Sequence, residues 1–213
     1  MAYLTYGDVD SAREAVEHNL RLLAEPAREG IPILCSEPTA ALMLRQDALD
    51  LLDDTDARLV ASNVVEFTSF LADLHRNGRL RTDFRSLDVS VGHHVPCHFK
   101  ALGGPPMAAS LLSLIPGMRA SLIDVSCSGM AGTFGFKTES YDLSMRAGAP
   151  MLAELSRPAY LFGSTECSAC RLQMEDGTGK RTLHPAQYLA LAYGLLPEVE
   201  RRLREPVGRW VLR

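Results

Sequence analysis

The sequence predicts an α/β fold: a mostly parallel sheet with helices on both faces and a metal or cluster site at the carboxyl ends of its strands. Three observations carry this. Short apolar runs such as IPILC, residues 31–35, lack polar alternation, as strands covered on both faces do. Helical spacing follows directly behind several of them, the β-to-α step from which parallel sheets are built. Four of the five cysteines fall just after the later runs, the place where open parallel sheets bind their ligands.

The elements follow in order. TYGDVDSA is loop-like and has no strand before it. Ser11 and Glu14 have capping-box spacing, and Ala12, Val16, Leu20 and Leu23 continue at helical intervals, so a helix is expected to reach Glu25 and to be closed by Gly30. IPILC reads as a strand with a helix in SEPTAALMLRQDALDLL behind it. ARLVASN, residues 57–63, reads as a second strand, followed by a helix in VVEFTSFLADLHRNG. The step recurs at LDVSVGHHVPCHFK before PPMAASLLSLIPG, at ASLIDVSCSG, and at AYLFGSTEC before SACRLQMEDG. The tail reads as an amphipathic helix to Arg204, with Trp210 docked on a partner or on the domain's own surface. With 213 residues, 46% of them hydrophobic, and neither repeat nor low-complexity linker, the chain reads as a single cysteine-rich domain over 1–213.

Several function classes are disfavoured. Net charge is −4 and no Lys/Arg block occurs, so nucleic-acid binding has no electrostatic support. The start lacks a signal peptide's cationic and apolar segments, and no run approaches the roughly 20 apolar residues of a membrane helix. The expected location is the cytoplasm, or the inner face of the membrane through a partner. Five cysteines clustered late in the chain do not make a secreted disulfide scaffold, which leaves metal or redox chemistry.

Cys97, Cys127, Cys167 and Cys170 are drawn from three β-to-α loops and are expected to converge. Cys167-Ser168-Ala169-Cys170 is a CxxC placed at a helix start, where the dipole favours thiolate. Four soft ligands suit an iron–sulfur cluster or a closed zinc site, and the CxxC alone suits thiol–disulfide exchange. Gly129, Gly132 and Gly135 lack Cβ, so they can take φ > 0 and aim N–H groups at sulfur beside a bulky anionic cluster. Their spacing is not that of a dinucleotide fingerprint. His93, His94 and His98 flank Cys97, where each has the chemistry to ligate or to donate to a sulfur. Cys35 reads as a buried small hydrophobe, and His184 before Pro185 as a helix cap. No Ser–His–Asp or paired-carboxylate arrangement is recognisable, so hydrolytic catalysis has no motif to stand on.

PCHFKALGG around Cys97, SCSGMAGTFGFK around Cys127, STECSACRLQME around Cys167 and Cys170, the pair His184-Pro185, and SEPTAALML at 36–44 resemble the cysteine-rich CCG domain. That domain occurs in the iron–sulfur subunits of anaerobic glycerol-3-phosphate dehydrogenase and glycolate oxidase, in heterodisulfide reductase, and behind FAD-linked oxidases. The resemblance covers roughly 31–195. It implies an iron–sulfur electron-transfer domain that takes electrons from a flavoprotein 2-hydroxyacid or glycerol-3-phosphate dehydrogenase and passes them to a quinone, a membrane-anchored acceptor or another carrier. FAD would lie only on the partner, and the chain would be the carboxyl-terminal part of a longer architecture, a component of an oxidoreductase and not a complete catalyst. Cys97, Cys127, Cys167 and Cys170 are the implied metal ligands, with Gly129, Gly132, Ser128 and His98 around the cofactor. Ser128 stands where the family carries a second cysteine, so four thiols are offered in place of five, and a cube or a structural zinc ion fits them as alternatives. Ser128 is expected to hydrogen-bond near the site without ligating.

Overall fold

The computed structural model describes residues 2–203 and 205. A short α1 (Ala2–Thr5) precedes α2 (Val9–Arg28). The N-cap of α2 is Asp8, which accepts the N–H of Ser11 at 3.1 Å, so the helix begins before the expected capping box. β1 (Ile33–Cys35) leads into α3 (Pro38–Leu42), a π-helical turn over Met43–Asp47, and α4 (Ala48–Leu51).

The expected strand at 57–63 is instead helical, as α5 (Thr55–Asn63). Asp54 caps it by accepting the N–H of Ala57 at 2.6 Å. Ala57, Val60 and Ala61 share one buried helical face, whereas in a strand Val60 would point away from the other two. That face packs with Val16, Leu20, Ala24 and Ala27 of α2, and Cys35 lies in the same apolar cluster, as a packing residue. The strand is the next segment, β2 (Val64–Glu66), followed by α6 (Phe67–Arg76). The Glu66 carboxylate accepts the N–H groups of Thr68 and Ser69 at 3.0 and 2.9 Å and so caps α6.

Among the described residues all strand pairs are parallel, but they form two sheets and not the one expected. β1 and β2 pair by themselves. β3 (Ser90–His94), β4 (Arg119–Ile123), β5 (Phe162–Ser164) and β6 (Thr182–Leu183) form a second sheet in the order β4-β3-β5-β6. Between these strands lie α7 (Cys97–Ala101), α8 (Ala108–Leu112), α9 (Tyr141–Leu155) and α10 (Ser168–Thr178). α11 (Pro185–Ala192) and α12 (Pro197–Leu203) follow β6. Trp210 and the end of the expected tail helix lie outside the described residues.

Helices cover both faces of the four-stranded sheet, as expected. Val91 and Ala120, paired across β3 and β4, join Leu112 of α8 and Tyr188 and Leu191 of α11 on one face. Ile123 joins Met151, Leu152 and Leu155 of α9 and Met174 of α10 on the other. Each fully buried Leu or Met contributes roughly 1.5–3 kcal/mol of transfer free energy. The last turn of α9 is closed by Lys180, whose ammonium donates to the carbonyls of Leu155, Arg157 and Tyr160 at 2.6–2.7 Å. Among the described residues no helix is long and apolar enough to cross a membrane.

Candidate thiol site

β4, β3 and β5 are parallel neighbours, so their carboxyl ends lie along one edge, and after each the chain enters a cysteine-bearing segment. Cys97 opens α7, Cys127 stands in the loop after β4, Cys167 is the N-cap of α10, and Cys170 is in that helix's first turn. All five cysteines are free thiols.

The four late cysteines stand as two pairs. The Cys97 thiol donates to the Cys127 sulfur, which also accepts the N–H of Gly129 at 3.3 Å. These bonds hold Cys127 down to about 5, as a thiolate, and they push its partner Cys97 far up. In the second pair the Cys170 thiol donates to Cys167, and the Cys170 N–H, at 3.5 Å, points at the same sulfur. Cys167 is thereby pushed down to about 7, while its bond to Cys167 and its burial drive Cys170 far up. Ser128 links the pairs, its hydroxyl donating to the Cys170 sulfur at 3.1 Å.

The glycines have a packing cause. Gly129 has φ +93°, and a Cβ there would lie 2.0 Å from the Ser144 carbonyl oxygen of α9. A Cβ on Gly148, in α9, would in turn lie 2.2 Å from the Ser128 carbonyl oxygen. Loop and helix therefore touch backbone to backbone. The Ser144 hydroxyl donates to the Gly129 carbonyl at 2.9 Å and accepts from Gln173 at 3.0 Å. Gly132 needs its left-handed φ of +67° but has open space around it.

The segment after β1 closes over this edge, which sequence reasoning did not find. Glu37 accepts the Ser168 N–H at 3.0 Å and the Ser168 hydroxyl, at the start of α10. His98, expected beside a cofactor, is engaged by the Thr39 hydroxyl at 2.6 Å. His184 caps α11 as expected, accepting the Ala186 N–H at Nδ1, and its Nε2 donates to the Ser36 carbonyl at 2.9 Å. The available signal for Glu37 was its place, two residues past a strand and directly before a proline at a helix start. His93 is buried between the Ser164 hydroxyl, 3.1 Å away, and Glu166, 3.3 Å away. Burial holds His94 down to about 4, as a neutral ring.

This arrangement corrects the metal expectation. Among the described residues no group of three or more His, Cys, Asp or Glu side chains stands where it could hold a metal ion. A closed zinc site or an iron–sulfur cluster needs its sulfurs around one centre. Here the sulfurs satisfy one another in two hydrogen-bonded pairs. The residues present do not fit an iron–sulfur cluster of any type or a zinc ion, so Cys97, Cys127, Cys167 and Cys170 are withdrawn as metal ligands. The cluster-based electron-transfer role and the zinc-domain alternative are withdrawn with them.

No family model matches the chain. Over 187 residues it is 30% identical to one of the subunits of anaerobic glycerol-3-phosphate dehydrogenase from Escherichia coli K12, and equally to the same protein of Escherichia coli O157:H7. Each match covers 87% of this chain and 47% of the relative, so the chain spans about half the length of the curated relatives it matches. The chain is thus a homologue of part of a dehydrogenase subunit, and the segment they share includes most of the residues that build the thiol edge.

Proposed function

We propose that the chain is a dithiol redox component of a dehydrogenase assembly, working in the cytoplasm with a flavoprotein dehydrogenase as its partner. The observation that carries this reading is the pairing itself: each of two thiol pairs combines a thiolate with a thiol, the nucleophile and the resolving group of thiol–disulfide exchange. Homology to a dehydrogenase subunit supports the partnership.

The exchange balances as follows. The Cys167 thiolate attacks a disulfide on a partner protein, forming a mixed disulfide and releasing one partner thiolate. Cys170 gives its proton to that thiolate and attacks the Cys167 sulfur, closing the Cys167–Cys170 disulfide and releasing the second thiolate, which takes a proton from water. Two electrons have passed from the chain to the partner, whose disulfide is now a dithiol. Cys127 and Cys97 are suited to the same sequence, with Cys127 as nucleophile.

The reading is tested by equilibrating the chain in dithiothreitol redox buffers, trapping free thiols and mapping disulfides by mass spectrometry. Cys167–Cys170 and Cys97–Cys127 disulfides should form reversibly while Cys35 stays free. Failure of both pairs to form in oxidising buffer would overturn it.

A further inference from the structure

The two edges of the four-stranded sheet are built differently. β6, at one edge, has two residues, both buried. β4, at the other, has five residues in unbroken register with β3, and only Ile123 among them is buried. Proteins keep an edge from pairing by making it very short, by proline, by a bulge or by a charge in mid-strand. β4 has none of these, its one charged residue being Arg119 at its start.

Hydrogen-bond direction fixes which backbone groups are open. The Arg119 N–H donates to the Val89 carbonyl at 2.9 Å, and the ladder alternates, so Ser121 and Ile123 also turn their backbone groups toward β3. The N–H and C=O groups of Ala120 and Leu122 turn outward, where no further strand lies among the described residues. The Leu122 side chain is 44% exposed there. Charge is also ordered along this edge, with Arg119 at its amino end and Asp124 directly past its carboxyl end. Their ion-pair partners, Asp88 and Lys100, are exposed as they are, so these pairs hold them weakly.

We infer that β4 is the pairing edge for a second copy of this chain, joined antiparallel about a twofold axis through Ser121. In that register the whole strand overlaps, Arg119 facing Ile123 and Ala120 facing Leu122 of the second copy. The outward groups of Ala120 and Leu122 then exchange both of their N–H···O=C bonds, and the axis repeats the exchange. Leu122 packs beside Ala120 of the second copy, and Arg119 at each end lies next to Asp124 of the second copy. A parallel copy in register would set Arg119 against Arg119. The antiparallel copy is the occupant for which both charge and symmetry close, and it joins two four-stranded sheets into one.

Sedimentation velocity of the full chain over a range of concentrations, with reductant present to exclude intermolecular disulfides, tests this. One strand edge is a small interface, so reversible dimerisation with a midpoint of about 10–100 μM is expected. Leu122→Pro removes an outward N–H that the chain's own sheet does not use and obstructs the incoming strand. It should weaken dimerisation more than about tenfold and keep the melting temperature near that of the parent, because proline is tolerated on the open side of an edge strand. If the proline variant does not fold, charge reversal decides: Arg119→Asp should weaken the dimer about tenfold, and adding Asp124→Arg should restore it. A chain that stays monomeric up to about 1 mM would leave the edge to a different protein and overturn the assignment. So would a dimer that survives Leu122→Pro or Arg119→Asp, or one that the double reversal does not restore. None of these readouts involves the cysteines, so failure here and failure of the dithiol reading are separately visible.

Discussion

The two thiol pairs reach a similar acid–base state through different constructions. Cys167 and Cys170 belong to a single helix start, where one turn of backbone brings the sulfurs together and the N–H of Cys170 faces Cys167. Cys97 and Cys127 come from segments that follow two different strands, and nothing local joins them. Their meeting depends on the register of β3 with β4 and on the loop being pressed against α9 through Gly129 and Gly148. The first pair is local and should survive insults elsewhere. The second is a product of packing and should fail whenever the loop moves.

The largest expected effect is therefore at Gly129. Gly129→Ala places a Cβ on the Ser144 carbonyl and a side chain at positive φ, which together cost about 3 kcal/mol or more. Urea unfolding should show the loss. In the variant that remains folded, Cys127 should lose its low titration midpoint while Cys167 keeps its own. Equal disturbance of both pairs would show that they are one packing unit.

Cys97→Ala sharpens the contrast at smaller structural cost. Cys127 then loses its principal donor, and its midpoint should rise from about 5 toward the ordinary cysteine range. Thiolate is the reactive form, so alkylation of Cys127 at pH 6, fast in the parent, should slow by about one to two orders of magnitude. It should recover as pH rises through the new midpoint. Cys167, followed in the same experiment, should still titrate near its own midpoint of about 7.

The smallest effect is expected from Glu37→Gln. The Glu37 carboxylate at the start of α10 opposes the Cys167 thiolate, so neutralising it should move the Cys167 midpoint down. Alkylation below pH 7 should quicken slightly, with no change at Cys127. A shift in the opposite direction would mean that Glu37 acts mainly by holding Ser168 in place.

Much of the architecture was legible from local patterns. An apolar run without alternation marked β1, β-to-α steps marked β3, β4 and β5, and helices were legible behind β1, β3 and β5, whereas α9 behind β4 was not. The error at 57–63 has a physical source: a short run of Ala, Val and Leu fits a buried strand or a helix face equally well, and the Asp54 cap together with the α2 surface selected the helix. The two-residue β6 was too short for any period to show. At the site, the CxxC pair and the placement of four cysteines after three strands could be read directly. The grouping of those cysteines could not, because a sequence gives the order of thiols along the chain and not which sulfur receives which proton.

Sequence by itself determined the parallel α/β class, the edge at which the cysteines gather, the inert packing of Cys35 and the helix-capping role of His184, since each follows from periodicity, from the carboxyl-end rule of parallel sheets or from cap chemistry. Tertiary structure alone decided that the strands divide into two sheets, that Glu37 and Thr39 return across the site to Ser168 and His98, and that four thiols meet as two hydrogen-bonded pairs and not around one centre. The reason is one of range. Periodicity and caps act over a few residues, whereas the distance between the sulfurs of Cys97 and Cys127 is set by strand register and by two glycines that let a loop lie against a helix.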